Sequence, residues 1–104
     1  MSDQTRTPAS PRFSLGRTLA TPVALEALEE SGQSPANFLD RHVRGDWGDV
    51  GTEDWQANEA SLQDGSRLLS AYKTLKGVKI WIITEATDDD GNRAATTLLL
   101  PEEY

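Results

Sequence analysis

The sequence contains no cysteine, which excludes a disulfide framework, a zinc ribbon, an iron–sulfur site and a thiol nucleophile. A reducing cytoplasm is the expected compartment. Long apolar runs are absent as well. The stretches Ile80 to Ile83 and Leu98 to Leu100 fall far short of the roughly 20 residues that cross a bilayer, so no membrane span is expected. There is a single histidine, no G-x-S-x-G nucleophile elbow and no Gly-rich strand-to-helix turn of the dinucleotide-binding kind. Positive charge is also in short supply, with 10 basic against 17 acidic side chains and a net charge of −7. That balance opposes attraction to phosphate backbones and favours a basic protein partner over direct nucleic-acid binding.

What remains is a chain of 104 residues, 37% of them hydrophobic, enough for one small core and too little for two. Met1 to Pro11 is rich in Ser, Thr and Pro and lacks the apolar stretch of a secretory signal, so residues 1–11 are expected to be a flexible polar tail. Residues 12–104 are then one domain. Its charge is unevenly spread. Asp46 to Ser66 carries six acids (Asp46, Asp49, Glu53, Asp54, Glu59, Asp64) and no base, whereas Arg67 to Lys79 carries Arg67, Lys73, Lys76 and Lys79 and no acid.

Phe13, Leu15 and Leu19 alternate with polar or small residues, the period of a half-buried strand. Thr21-Pro22 and Ser34-Pro35 each supply an N-cap hydroxyl followed by a proline at the first helical position. They predict two short helices, closed by Ser31-Gly32 and by Gly45. The second would present Phe38, Leu39, His42 and Val43 as its apolar face. Thr52 is a candidate cap for a third helix, with Glu53 and Asp54 in its dipole-favoured first turn, Trp55 and Leu62 on one side, and Gly65 as its stop. β-Branched and aromatic residues then mark strands over Arg67 to Thr74, Val78 to Ala86 and Ala94 to Leu100, joined by Lys76-Gly77 and by Asp88 to Asn92. The middle one is apolar on both sides and should be central. The order predicts an α+β fold: a mainly antiparallel four-stranded sheet, one strand followed by the helices and then a three-stranded meander, with helices on one face.

The runs LATPVALEALEESGQSPANFLDRHVRGDWGDV (Leu19 to Val50), DGSRLLSAY (Asp64 to Tyr72), KIWIITEA (Lys79 to Ala86) and TTLLLPEEY (Thr96 to Tyr104) resemble a family of small bacterial proteins of uncharacterised function carried by plasmids, phages and other mobile elements. Some members bear automatic labels linking them to a type I restriction modification subunit. A methyltransferase needs a cofactor-binding α/β domain, which 104 residues without a Gly-rich turn do not supply. The resemblance implies a mobile-element setting and no mechanism. Residues 1–11, the longer hairpin at Asp88 to Ala95, and Val23 in place of a glycine depart from the family pattern.

His42, Asp46 and Asp49 form His-x3-Asp-x2-Asp. An imidazole with two carboxylates is a set able to hold a divalent metal or act as base and acid. The bland reading makes His42 part of its helix's apolar face and gives the aspartates to the turn backbone. Trp47 beside them reads either as an interface anchor or as a lid on the core. Arg67, Tyr72, Lys73, Lys79 and Glu85 fall on adjacent strands in an order similar to ribosome-dependent mRNA-cleaving toxins, a likeness of topology opposed by the acidic block before Arg67. Asp88, Asp89 and Asp90 read as a solvated hairpin tip, since Leu99 stands where a calcium loop needs its distal glutamate. The expectation is therefore a non-catalytic interaction module without a cofactor or metal. Its contact surface is placed at His42, Asp46, Trp47, Asp49, Glu53 and Asp54. A small metal-dependent or RNA-cleaving hydrolase is the alternative.

Overall fold

A computed structural model describes residues 11–104; the polar-tail expectation for residues 1–10 lies outside them. Among the described residues the order is β1 (Arg17–Ala20), α1 (Pro22–Glu30), α2 (Pro35–Val43), α3 (Thr52–Asp64), β2 (Leu68–Lys73), β3 (Lys79–Thr84) and β4 (Ala95–Leu99), closed by a 3₁₀ turn at Pro101–Glu103. The strands form one sheet in the order β1-β4-β3-β2, an α+β architecture. The sheet is mixed rather than purely antiparallel. β2, β3 and β4 form the antiparallel meander, while β1 lies parallel to β4, a pairing made possible because the chain crosses back through the helices before the meander begins.

The helix starts follow local chemistry. Thr21 accepts a hydrogen bond from the Ala24 amide ahead of Pro22, and Ser34 with Asn37 forms a capping box ahead of Pro35. α3 starts after Gly51 rather than Thr52 and ends on Gly65 in the left-handed conformation. The alternation of β3 sends Ile80 and Ile82 to one side of the sheet. There they join Tyr72 and Leu98 against Ala24, Ala27 and Leu28 of α1 and Phe38 of α2. Leu39 and Val43 are half-buried, and His42 takes the fully enclosed position on α2.

Two further expectations are corrected. Phe13 and Leu15 precede β1 instead of belonging to it, and the Phe13 ring stacks on Trp47 and meets His42 edge-on. The inner side of α3 is polar: Asn58 and Ser61 are buried, whereas Trp55 is 38% exposed. The reason lies at the β2 edge of the sheet. The Asn58 side chain donates to the Leu69 carbonyl (2.6 Å) and accepts from the Leu69 amide (3.0 Å). One turn of strand further along, the Ala71 amide donates to Trp47 O (3.1 Å) and the Asp49 amide to Ala71 O (2.6 Å). A side-chain amide and a loop thus occupy the outward peptide groups of Leu69 and Ala71 and cover that stretch of an edge otherwise open to pairing. Gly48, at φ +76°, lies between them; a Cβ there would strike the Ala71 carbonyl and the Tyr72 ring.

Candidate functional site

His42 sits at the centre of a buried polar chain. Its Nδ1 lies 2.5 Å from Ser70 Oγ and its Nε2 2.8 Å from Thr84 Oγ1. Thr84 Oγ1 lies 2.7 Å from Thr96 Oγ1, which donates to the Leu15 carbonyl at 2.7 Å. A carbonyl only accepts, so the single proton of Thr96 goes to Leu15, Thr84 donates to Thr96, and His42 donates from Nε2 to Thr84. Burial keeps the imidazole neutral, so Nδ1 accepts from Ser70. Burial pushes the His42 pKa down to about 3, with the Arg93 charge as a second cause. His42, Ser70, Thr84 and Thr96 are all 0% exposed, so this set is closed to a substrate and works as a polar tie between α2 and three segments of the sheet side.

The loop after α2 is equally committed to structure. Arg41 and Asp46 form an ion pair at 2.8 Å, which holds the Asp46 carboxyl below its ordinary range. Asp46 Oδ1 also accepts from the Gly48 amide, and its carbonyl accepts from the Tyr72 hydroxyl (2.5 Å). Trp47 is 0% exposed. Its indole N–H donates to Glu59 Oε2 at 3.0 Å, and Glu59, hydrogen-bonded by Arg12 and by Trp47, also has a lowered pKa. Trp47 is thus the lid, enclosed by Phe13 and His42 and out of a partner's reach. Among the described residues no group of three His, Asp or Glu side chains is placed to hold a metal ion. His42, Asp46 and Asp49 are separated: the ring points into the core, Asp46 engages Arg41, and Asp49 is exposed on the β2 edge.

Asp49, Glu53 and Asp54 have a different environment. All three are exposed, and none is in an ion pair among the described residues. Asp49 is aimed outward because its amide is tied to Ala71, and the acids of α3 occupy its first turn. Asp49 and Asp54 line a recess of about 200 Å³ with Leu69, Ala71, Trp81 and Lys79. By strand alternation these sheet residues lie opposite the face that holds Ile80 and Ile82. Trp81 also meets the terminal Tyr104 ring in a T-shaped contact. The recess thus combines an apolar floor, carboxylates on one wall and one lysine on the other.

Two residues with large structural roles were missed by sequence reasoning. Arg93, only 7% exposed, donates to the carbonyls of Ser66 (2.8 Å), Glu85 (2.9 Å) and Ser61 (3.1 Å), tying the C-terminal end of α3 to the β3–β4 hairpin. Asn58 is the other; an asparagine in mid-helix, a position it disfavours, was the available signal. The basic residues of the toxin-like reading do not share one surface with Tyr72. Arg67, Lys73 and Lys79 belong to the recess side of the strands, while Tyr72 is enclosed in the core and the desolvation raises its pKa. The hairpin tip is held by Asp88, whose Oδ1 accepts from the Asp90 and Asn92 amides.

No protein-family model, curated protein or solved structure matches the chain.

Proposed function

We propose that the protein is a small acidic, non-catalytic interaction module of a mobile genetic element, acting in the cytoplasm by engaging a basic host protein in counter-defence. The observation that carries this reading is the recess at the β2 edge, where the exposed carboxylates of Asp49 and Asp54, in no ion pair among the described residues, stand beside the apolar floor of Trp81, Leu69 and Ala71, with Glu53 adjacent on α3. A lysine or arginine side chain has an aliphatic stem for such a floor and a charged head for its carboxylates, and a cation over an indole adds further attraction. The mobile-element setting is supported by the resemblance carried by Arg41 to Val50 and Lys79 to Ala86. The contact surface is narrower than the sequence alone suggests: it keeps Asp49, Glu53 and Asp54, whereas His42, Asp46 and Trp47 support it from behind.

The test is capture from a host lysate with the parent chain and with an Asp49→Lys, Asp54→Lys variant, followed by affinity measurement across ionic strength. A basic protein should be retained by the parent and lost by the variant. Binding should weaken as salt rises from about 0.05 to 0.5 M, because the Debye length shrinks from about 14 to about 4 Å. Lys79→Glu should tighten it by removing the lysine that lines the recess. Affinity that is flat in salt and indifferent to these three positions would refute the reading.

A further inference from the structure

The two edges of the sheet are treated differently. β2 is covered at Leu69 and Ala71 by Asn58 and the Trp47–Asp49 loop, whereas among the described residues β1 pairs only with β4. The Arg17 amide donates to Ala94 O and the Thr21 amide to Leu98 O, both at 3.0 Å. Arg17, Leu19 and Thr21 therefore turn their peptide groups inward, and those of Thr18 and Ala20 face outward with no strand beside them among the described residues. Aliphatic surface surrounds this edge. Leu19, Val23 and Leu25 are 41%, 46% and 40% exposed, and a groove of about 270 Å³ between β1 and the helix pair is lined by Thr18, Ala20, Leu25, Pro35 and Leu39.

We infer that β1 is a self-association edge, which a second copy of this chain covers by antiparallel β1 pairing about a two-fold axis through Leu19. The register that uses every outward peptide of both copies is the one centred on Leu19. Thr18 exchanges its two backbone hydrogen bonds with Ala20 of the second copy, Leu19 faces its own counterpart, and Arg17 stands across from Thr21 of the second copy. Charge complementarity selects a second copy as the occupant. The Thr21 hydroxyl donates to Glu103 Oε1 at 2.7 Å, so the Glu103 carboxylate is held beside the position that the incoming Arg17 takes. Neither Arg17 nor Glu103 has an ion-pair partner among the described residues, and the two-fold satisfies both twice. The result is a continuous eight-stranded sheet with an acidic recess near each outer edge. This inference does not depend on what those recesses bind.

Sedimentation of the full chain over a concentration series, with amide hydrogen exchange at both ends of the series, tests the pairing. The expected result is a reversible dimer in which the Thr18 and Ala20 amides are protected only at dimer-forming concentrations. Arg17→Glu and Glu103→Arg, each in a chain that melts with the parent, should weaken it about tenfold, the scale of two lost cross-strand charge pairs. The double variant should recover most of the affinity. A chain that stays monomeric up to about 1 mM, a dimer indifferent to both charge reversals, or a double variant no tighter than the singles would overturn the inference. Protection of those two amides already in the monomer would do so as well, by showing that another part of the same chain covers the edge.

Discussion

The Nε2 of His42 lies 2.8 Å from the hydroxyl of Thr84 across 42 residues of sequence, and that contact is one of four links in a chain running from Ser70 to the Leu15 carbonyl. Thr84→Val keeps the shape and removes both the acceptor for the imidazole N–H and the donor to Thr96. Stability should fall by about 1 to 3 kcal/mol, the cost of leaving buried polar groups unpaired. Urea denaturation measures it. Thr84→Ser, which keeps the hydroxyl, should recover most of the loss, and equal losses in the two variants would rule out the hydrogen bonds as the cause.

The same histidine makes stability depend on pH. The unfolded imidazole protonates near 6.5, while burial and the Arg93 charge hold the folded one to about 3. Its contribution is therefore fully present above 6.5 and declines as pH falls toward 3, by about 1.4 kcal/mol per pH unit for one proton taken up on unfolding. Between pH 6.5 and 5, above the range of the lowered Asp46, Glu59 and Asp64 carboxyls, the slope should belong to His42. Urea midpoints for the parent and for His42→Gln over that interval check this, since the variant should be nearly flat there.

Trp47 fills the space between Phe13 and His42 with no solvent exposure. Trp47→Ala should cost about 3 to 5 kcal/mol, a large share of the about 5 to 15 kcal/mol that holds a small domain. Trp47→Phe should cost less, because a six-membered aromatic ring remains to fill most of the space, and what is lost is the smaller remainder of the indole with its bond to Glu59. A thermal midpoint unchanged by the alanine substitution would exclude the lid.

Asn58 covers the β2 edge with two hydrogen bonds to one residue. Asn58→Leu removes both and leaves the Leu69 amide and carbonyl unpaired beneath a helix. Stability should fall by about 2 to 4 kcal/mol, and light scattering of the concentrated variant should rise as the uncovered edge pairs between molecules. A variant as soluble and stable as the parent would show that the edge needs no such cover.

Local chemistry determined the elements. The Thr21-Pro22 and Ser34-Pro35 starts, the left-handed Gly65 that ends α3 and the alternation through Ile80 and Ile82 all act within a few residues of backbone. They specified the helices, the meander and the α+β class without reference to anything distant. The tertiary structure decided what those elements do to one another. His42 and Trp47 read from the sequence as either site or core, because a side chain's exposure depends on partners distant in the chain: Ser70 and Thr84 for one, Glu59 and Phe13 for the other. The parallel β1–β4 pairing and the polar inner side of α3 were hidden for the same reason. The first is a pairing of backbone groups and the second a side-chain amide bound to them; the chain carries such groups at every position, and only a neighbouring element selects which are used.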